Sequence, residues 1–272
     1  SLGCLFSLFW HVAISRNIKM YWSAELTIAT IFFILVTIGI AFASNRGVAI
    51  HYYKSVYWKI ILMMFAIAWL TRDHHAFSKC SIYVVLFGIL VGVVAISNKI
   101  SGVGLVEETR VTIGRDIGSV LGDPNDLALV LMFPFAFSVA LALTSGLPRS
   151  HRLIGIIGTP IFFFAVLATQ SRGGLLGVLA ILGVFGYRKI QSKVLLISLA
   201  FFTATFLFVV AGISDRQSGG AAEEGLDASA QGRLYAWEAA TKMAIDNPIT
   251  GVGIDNFYSN YYFYSPHWDG LN

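Results

Sequence analysis

Long apolar stretches separated by short polar connections run through the chain, at 24–44, 57–70, 80–97, 126–146, 152–169, 173–187 and 194–213. A bilayer core of ~30 Å needs ~20 helical residues at ~1.5 Å each. The pattern therefore predicts an all-α fold, a polytopic transmembrane helical bundle of seven spans. The stretches at 57–70 and 173–187 are short and would have to snorkel or thin the bilayer. Residues 2–14 predict the end of an eighth span. Arg16 and Lys19 follow that apolar run instead of preceding it, which is not the order of a signal peptide. With no initiating Met, the chain is expected to be a fragment.

Basic residues in short connections resist translocation and so set orientation. Arg16 and Lys19, Arg72 and Lys79, Arg149 and Arg152, and Arg188, Lys189 and Lys193 occupy alternate connections, which predicts those as cytoplasmic. The other set, 45–55, 98–125, 170–172 and the tail 214–272, carries nearly all the acidic residues. A functional site is therefore expected on the outer side. The organisation predicted is N-terminal membrane helices over 1–97, a core membrane region over 98–213, and a large, partly helical outer loop over 214–272 that the chain's end truncates.

Composition agrees. Of 272 residues, 56% are hydrophobic and only 12% charged, against about 25% charged in soluble domains. The mean hydropathy is +0.72. These values exclude a water-soluble globule, a disordered chain and a nucleic-acid binder. The net charge of +4 reflects the cytoplasmic lysines and arginines and carries no functional weight. Cys4 and Cys80 are placed near opposite membrane faces, so no disulfide is expected.

Four motifs and one histidine are candidates for chemistry. Gln170-Ser171-Arg172-Gly173-Gly174 joins two apolar segments with almost no loop. Arg172 there reads either as a snorkelling anchor or as a guanidinium beside a helix N-terminus whose glycine N–H groups suit a pyrophosphate. Gly232 to Glu238 opens a helix that Asn247-Pro248 ends. Arg233, Trp237, Ala240 and Ala244 share one stripe of it, so the helix either lies on the membrane with Arg233 at a lipid phosphate or holds Arg233 over the membrane edge for a substrate.

Gly251 and Gly253, in Pro248 to Phe257, lack the third glycine and flanking elements of a dinucleotide site. They fit a compact turn, with a phosphate-binding nest as the alternative. Gly122-Asp123-Pro124-Asn125-Asp126 fits a helix cap, with Asp123 at N-cap and Pro124 at the first helical position. No Asp-x-Asp pair or His/Cys cluster has ligand spacing, so no metal and no cofactor are expected. His267 is the only histidine in the outer tail, among Phe257, Tyr258, Tyr261, Tyr262, Phe263, Tyr264 and Trp268. Those aromatics suit sugar stacking and an interfacial belt equally.

Taken together, the motifs resemble the O-antigen ligase family of bacterial membrane glycan ligases and polymerases. The matching pieces are Asp123-Pro124-Asn125-Asp126-Leu127-Ala128, Ser171-Arg172-Gly173-Gly174, Arg233 with Trp237, and Asn247-Pro248-Ile249-Thr250-Gly251-Val252-Gly253 followed by Asn256-Phe257. The resemblance implies a metal-independent glycosyltransferase of lipopolysaccharide or polysaccharide biosynthesis, multi-pass in the bacterial inner membrane and active on its periplasmic side. Its donor would be a glycan on undecaprenyl pyrophosphate. Its acceptor would be a lipid A core sugar, another lipid-linked glycan or a protein hydroxyl. The partners implied are these substrates and membrane lipids, with no nucleic acid.

The family's catalytic arginines fall on Arg172 and Arg233. Gly173, Gly174, Trp237, Gly251, Gly253 and, as a third cation, Arg115 are the expected substrate contacts. The family's essential histidine stands in a later segment, just before a further membrane helix. It is expected to lie outside this chain, with His267 a weak substitute as base, and a chain ending at Asn272 is expected to be inactive. The prenyl chain is expected between helices kinked at Pro134 and Pro160. Rival readings are a polymerase joining lipid-linked repeat units, which differs only in acceptor, and a transporter or flippase, disfavoured because the spans hold almost no mid-membrane polar residues. A structural scaffold would leave the outer arginines unexplained.

Overall fold

The computed structural model describes residue 10 and residues 21–71, 73–210 and 228–267. They are mostly helical and divide into two compact units, residues 73–216 and residues 1–72 with 217–272.

The unit of 73–216 is built from α4 (His74–Ser101), α5 (Pro124–Leu143), α6 (Arg149–Thr169), α7 (Arg172–Lys189) and α8 (Lys193–Val210). Their ends are set locally. Asp73 caps α4 by accepting from Ala76 N at 2.6 Å, and Gly102, at φ +69°, closes it in a left-handed conformation. Asp123 caps α5, accepting from Asn125 N at 2.7 Å and Asp126 N at 3.3 Å, with Pro124 first in the helix. The cap expected from the sequence is the cap found.

The core lies between α4, α5, α6 and the start of α7, around the fully buried Val85, Leu127, Leu131, Phe135, Phe162, Val166 and Val178. Between α5 and α6 the backbones nearly touch. A methyl group on Gly155 would lie 2.5 Å from Ala142 N and 2.7 Å from Ser138 O, and one on Gly158 2.7 Å from Ser138 Oγ. Ser138 Oγ donates to Gly155 O at 2.9 Å, and Thr159 Oγ1 donates to the same carbonyl at 2.8 Å. In lipid, where burying apolar side chains gives helices no drive to associate, small residues that admit close packing and satisfied hydroxyls hold them together. Pro134 sits inside α5, buried, its ring filling the space left by Gly88 of α4. Pro160 is exposed on α6.

The second unit contains α1 (Ala24–Phe42), α2 (Arg46–Tyr52), a π-helical turn (Tyr53–Tyr57), α3 (Trp58–Leu70), α9 (Ala228–Asp246) and α10 (Phe257–Tyr264). Helix α2 runs through the π turn into α3, so the helix starts well before the expected span at 57–70. His51, Lys54 and a run of aromatics break the apolar pattern there without breaking the backbone ladder.

Four helices among the described residues are long and apolar enough to cross a membrane: Ala24–Phe42, Ala76–Ser101, Pro124–Leu143 and Arg149–Thr169. They answer to four of the seven or eight spans expected. The stretch at 57–70 is the short helix α3. The stretch at 173–187 lies in α7, which includes Arg172, Arg188 and Lys189, and 194–213 begins as α8. The expected span over 2–14 lies outside the described residues apart from Trp10. The fold is also not wholly helical: Leu105–Val106 and Arg110–Val111 pair as an antiparallel hairpin, Leu105 opposite Val111 and Val106 opposite Arg110.

Candidate active site

Arg172 is the first residue of α7, directly after a joint shaped by three elements. Gln170 ends α6 at φ +50°, a conformation that costs a side-chain-bearing residue about 1–2 kcal/mol. Ser171, 2% exposed, caps α7 by accepting from Gly174 N at 3.3 Å. One of the glycine N–H groups expected to face a ligand is therefore taken by the cap. The two glycines differ in surroundings. A methyl group on Gly173 meets only Ser171 Oγ at 3.9 Å, whereas one on Gly174 would lie 2.8 Å from Ala128 Cβ and 3.1 Å from Val166 Cγ1. Gly174→Ala should therefore lower the thermal stability of the purified protein by about 1–3 kcal/mol, while Gly173→Ala leaves the melting curve in place. Scanning fluorimetry of the two variants checks the contrast.

Behind the joint lies Arg110, 4% exposed. Its Nε donates to Thr169 O at 3.2 Å and its Nη2 to Asn125 Oδ1 at 3.0 Å, with Glu107 Oε1 3.6 Å from Nη1. Asn125 Oδ1 also accepts from Ser171 Oγ at 2.9 Å, and Thr109 Oγ1 donates to Gln170 Oε1 at 2.8 Å. Lys99 Nζ donates to Thr109 O, tying α4 to the same hairpin. Arg115 stands on an exposed 3-10 turn and donates from Nη1 to Gly122 O at 3.3 Å.

In the other unit, Arg233 and Trp237 lie one turn apart on the exposed face of α9, with Trp237 66% exposed. Ala239 and Met243 form the buried face. The His267 ring stacks on Tyr235, centroids 3.8 Å apart at 17°, and its Nε2 lies 3.3 Å from Glu238 Oε2. Glu238 Oε1 accepts from Lys242 Nζ at 2.9 Å. That hydrogen bond and the Lys242 charge, with a smaller contribution from the neighbouring His267, hold the Glu238 carboxyl below the ordinary glutamate range. The stabilisation is present above that ordinary range and is lost as pH falls through the lowered value. It is small, because the pair is exposed to solvent. Beside it is an open hollow of about 480 Å³ whose lining includes Lys242, Asp246, Phe263, Tyr264 and Ser265.

Residues 157–272 match the family model described as O-Antigen ligase. This segment is similar to the O-antigen ligase family. No curated protein and no solved structure matches the chain. The match supports a membrane glycan enzyme of the ligase or polymerase type.

The O-antigen ligase segment contains Arg172, Gly173, Gly174, Arg233, Trp237, Gly251, Gly253 and His267, whereas Arg110, Arg115 and Asn125 precede it. Within it, Gly251 and Gly253 form a turn with positive φ of +61° and +98°. That turn is docked: Ser44 N donates to Val252 O at 3.0 Å, and a methyl group on Gly253 would strike Ala43, 2.8 Å from its Cα. Asn256, fully buried, accepts from Asn45 N at 3.0 Å and donates to Asn45 O at 3.3 Å and Ile254 O at 2.9 Å. The turn thus seats the end of α9 and the start of α10 on the α1–α2 connection.

Two features of the site have no clear mark in the sequence. Glu238 shows there only as part of a helix opening, since its partner His267 lies far along the chain. Nothing in Thr109-Arg110-Val111 marks a buried charge; the one signal is two glutamates, Glu107 and Glu108, between short β-branched pieces, which the hairpin uses as its turn. Among the described residues no group of three or more His, Cys, Asp or Glu is placed to hold a metal ion.

Proposed function

We propose that the protein transfers a glycan from undecaprenyl pyrophosphate to an acceptor hydroxyl at the periplasmic face of the bacterial inner membrane. The acceptor oxygen attacks the anomeric carbon, the bond from that carbon to the pyrophosphate oxygen breaks, and the prenyl pyrophosphate leaves with the bonding pair. Arg172 and Arg233 bind the pyrophosphate and neutralise the charge that grows on it. The hydroxyl proton passes to a base, for which His267, held by Glu238 and stacked on Tyr235, is the candidate among the described residues. Two guanidiniums supply the neutralisation a divalent cation would otherwise give, so the reaction is metal-independent. Gly173, Trp237 and Arg115 are proposed as substrate contacts.

The observation that carries this reading is the O-antigen ligase match, whose residues include both arginines, with Arg172 in the first turn of a helix, where the backbone favours an anion. Full-length protein in lipid, given a lipid-linked glycan and an acceptor, should release undecaprenyl pyrophosphate at an unchanged rate in excess chelator. Loss of activity on chelation, restored by a divalent metal, would contradict the metal-free scheme. In a strain lacking the protein, polymer made but left unattached identifies a ligase, and single-unit chains identify a polymerase.

A further inference from the structure

Arg110 is a full charge placed where a buried side chain would normally be apolar; its strand neighbour Val111 is completely buried. Burying a guanidinium is costly unless its donors are matched, and here the matching falls on the residues leading to Arg172. Nε holds Thr169 O, at the carbonyl end of α6. Nη2 holds Asn125 Oδ1, and that same oxygen accepts the Ser171 hydroxyl proton. With its proton directed at Asn125, Ser171 Oγ turns a lone pair to Gly174 N and caps α7. Gln170, in its strained left-handed conformation, is held by Thr109, the residue before Arg110.

Thr169, Gln170 and Ser171, the three residues before Arg172, are each gripped by the hairpin or by the residue the hairpin grips. We propose that Arg110 is a positioning residue for Arg172. Through Asn125 and Ser171 it fixes where α7 begins, and so where the Arg172 guanidinium stands for a diphosphate. The inference rests on the diphosphate role proposed above for Arg172, and a misplacement of about 1 Å at a reacting centre is enough to cost about a hundredfold in rate.

Two measurements on the full-length protein test it. The first reads position without activity: a nitroxide on Arg172→Cys, with Cys4 and Cys80 replaced by serine. It should give a restricted spectrum that Arg110→Lys and Asn125→Ala each convert to a mobile one. Asn125→Asp, whose carboxylate can accept from both Arg110 and Ser171, should leave the spectrum restricted. The second is kinetic. Arg110→Lys keeps the charge but cannot reach Thr169 O and Asn125 Oδ1 together. It should lower kcat/KM tenfold or more at a retained membrane yield, and add no loss in an Arg172→Ala background. Asn125→Asp should retain most activity and Asn125→Ala should not.

A restricted spectrum and wild-type kinetics in Arg110→Lys would overturn the proposal, as would a loss of equal size with and without Arg172. If Arg172→Ala alone keeps full activity while the spectra shift as stated, the positioning stands and the diphosphate role falls. If Arg172→Ala is inactive and the spectra do not shift, the reverse holds.

Discussion

Replacing Arg172 or Arg233 by alanine is expected to cut glycan transfer about 10²–10³-fold while leaving membrane insertion and yield intact. In the proposed reaction the leaving group is a pyrophosphate whose negative charge rises as the glycosidic bond breaks, so a cation placed on it acts more strongly in the transition state than in the ground state. Removing one such preorganised donor costs about 10²–10³-fold in rate, or about 3–4 kcal/mol. Both arginines are exposed and neither side chain fills the core, so the loss should fall on catalysis and not on folding. Lysine at either position should recover part of the rate, because it restores the charge without the two-pronged geometry of guanidinium. Transfer assays with purified variants, normalised to protein in the membrane fraction, check this; wild-type rates from both alanine variants would remove the arginines from the mechanism.

A large structural effect is expected at Gly155. A methyl group there would meet backbone atoms across the α5–α6 contact, Ala142 N at 2.5 Å, Ser138 O at 2.7 Å and Leu141 C at 2.9 Å, and backbone cannot rotate aside as a side chain can. Gly155→Ala should therefore push the helices apart and cost about 1–3 kcal/mol. Gly155→Leu should leave little folded protein. The change also strains the hydrogen bonds that Ser138 and Thr159 make to the Gly155 carbonyl. Equilibrium unfolding in mixed detergent should show the alanine variant shifted to lower denaturant and the leucine variant without a cooperative transition. Gly183, with open space around it, serves as the control and should accept alanine without a shift.

What can be read from the sequence is local. Apolar length locates the middles of α1, α4, α5 and α6, since a bilayer demands such runs whatever surrounds them. The Asp123-Pro124 start of α5 is legible because a cap is decided within four residues. The extent of each helix is not, because hydropathy marks where polar residues interrupt a run and not where the helix stops: α2, the π turn and α3 form one continuous helix across such an interruption. The hairpin at 105–111 has strands of two residues each, too short for any alternation to show. The motif glycines look alike in the sequence, yet Gly174 and Gly253 lie against neighbouring helix and loop atoms while Gly173 and Gly251 face open space. Long-range partnerships are invisible for the same reason. The links from Arg110 to Thr169 and from His267 to Glu238 depend on which chain segments meet, and composition carries no trace of that.

In the proposed mechanism Arg172 and Arg233 bind the diphosphate of a lipid carrier, which binding of undecaprenyl pyrophosphate to the full-length protein in nanodiscs measures directly. Wild type should bind the diphosphate more tightly than undecaprenyl monophosphate, and Arg172→Ala and Arg233→Ala should each weaken diphosphate binding tenfold or more with little change for the monophosphate. Equal affinity for the two lipids, unaltered in both variants, would contradict the account.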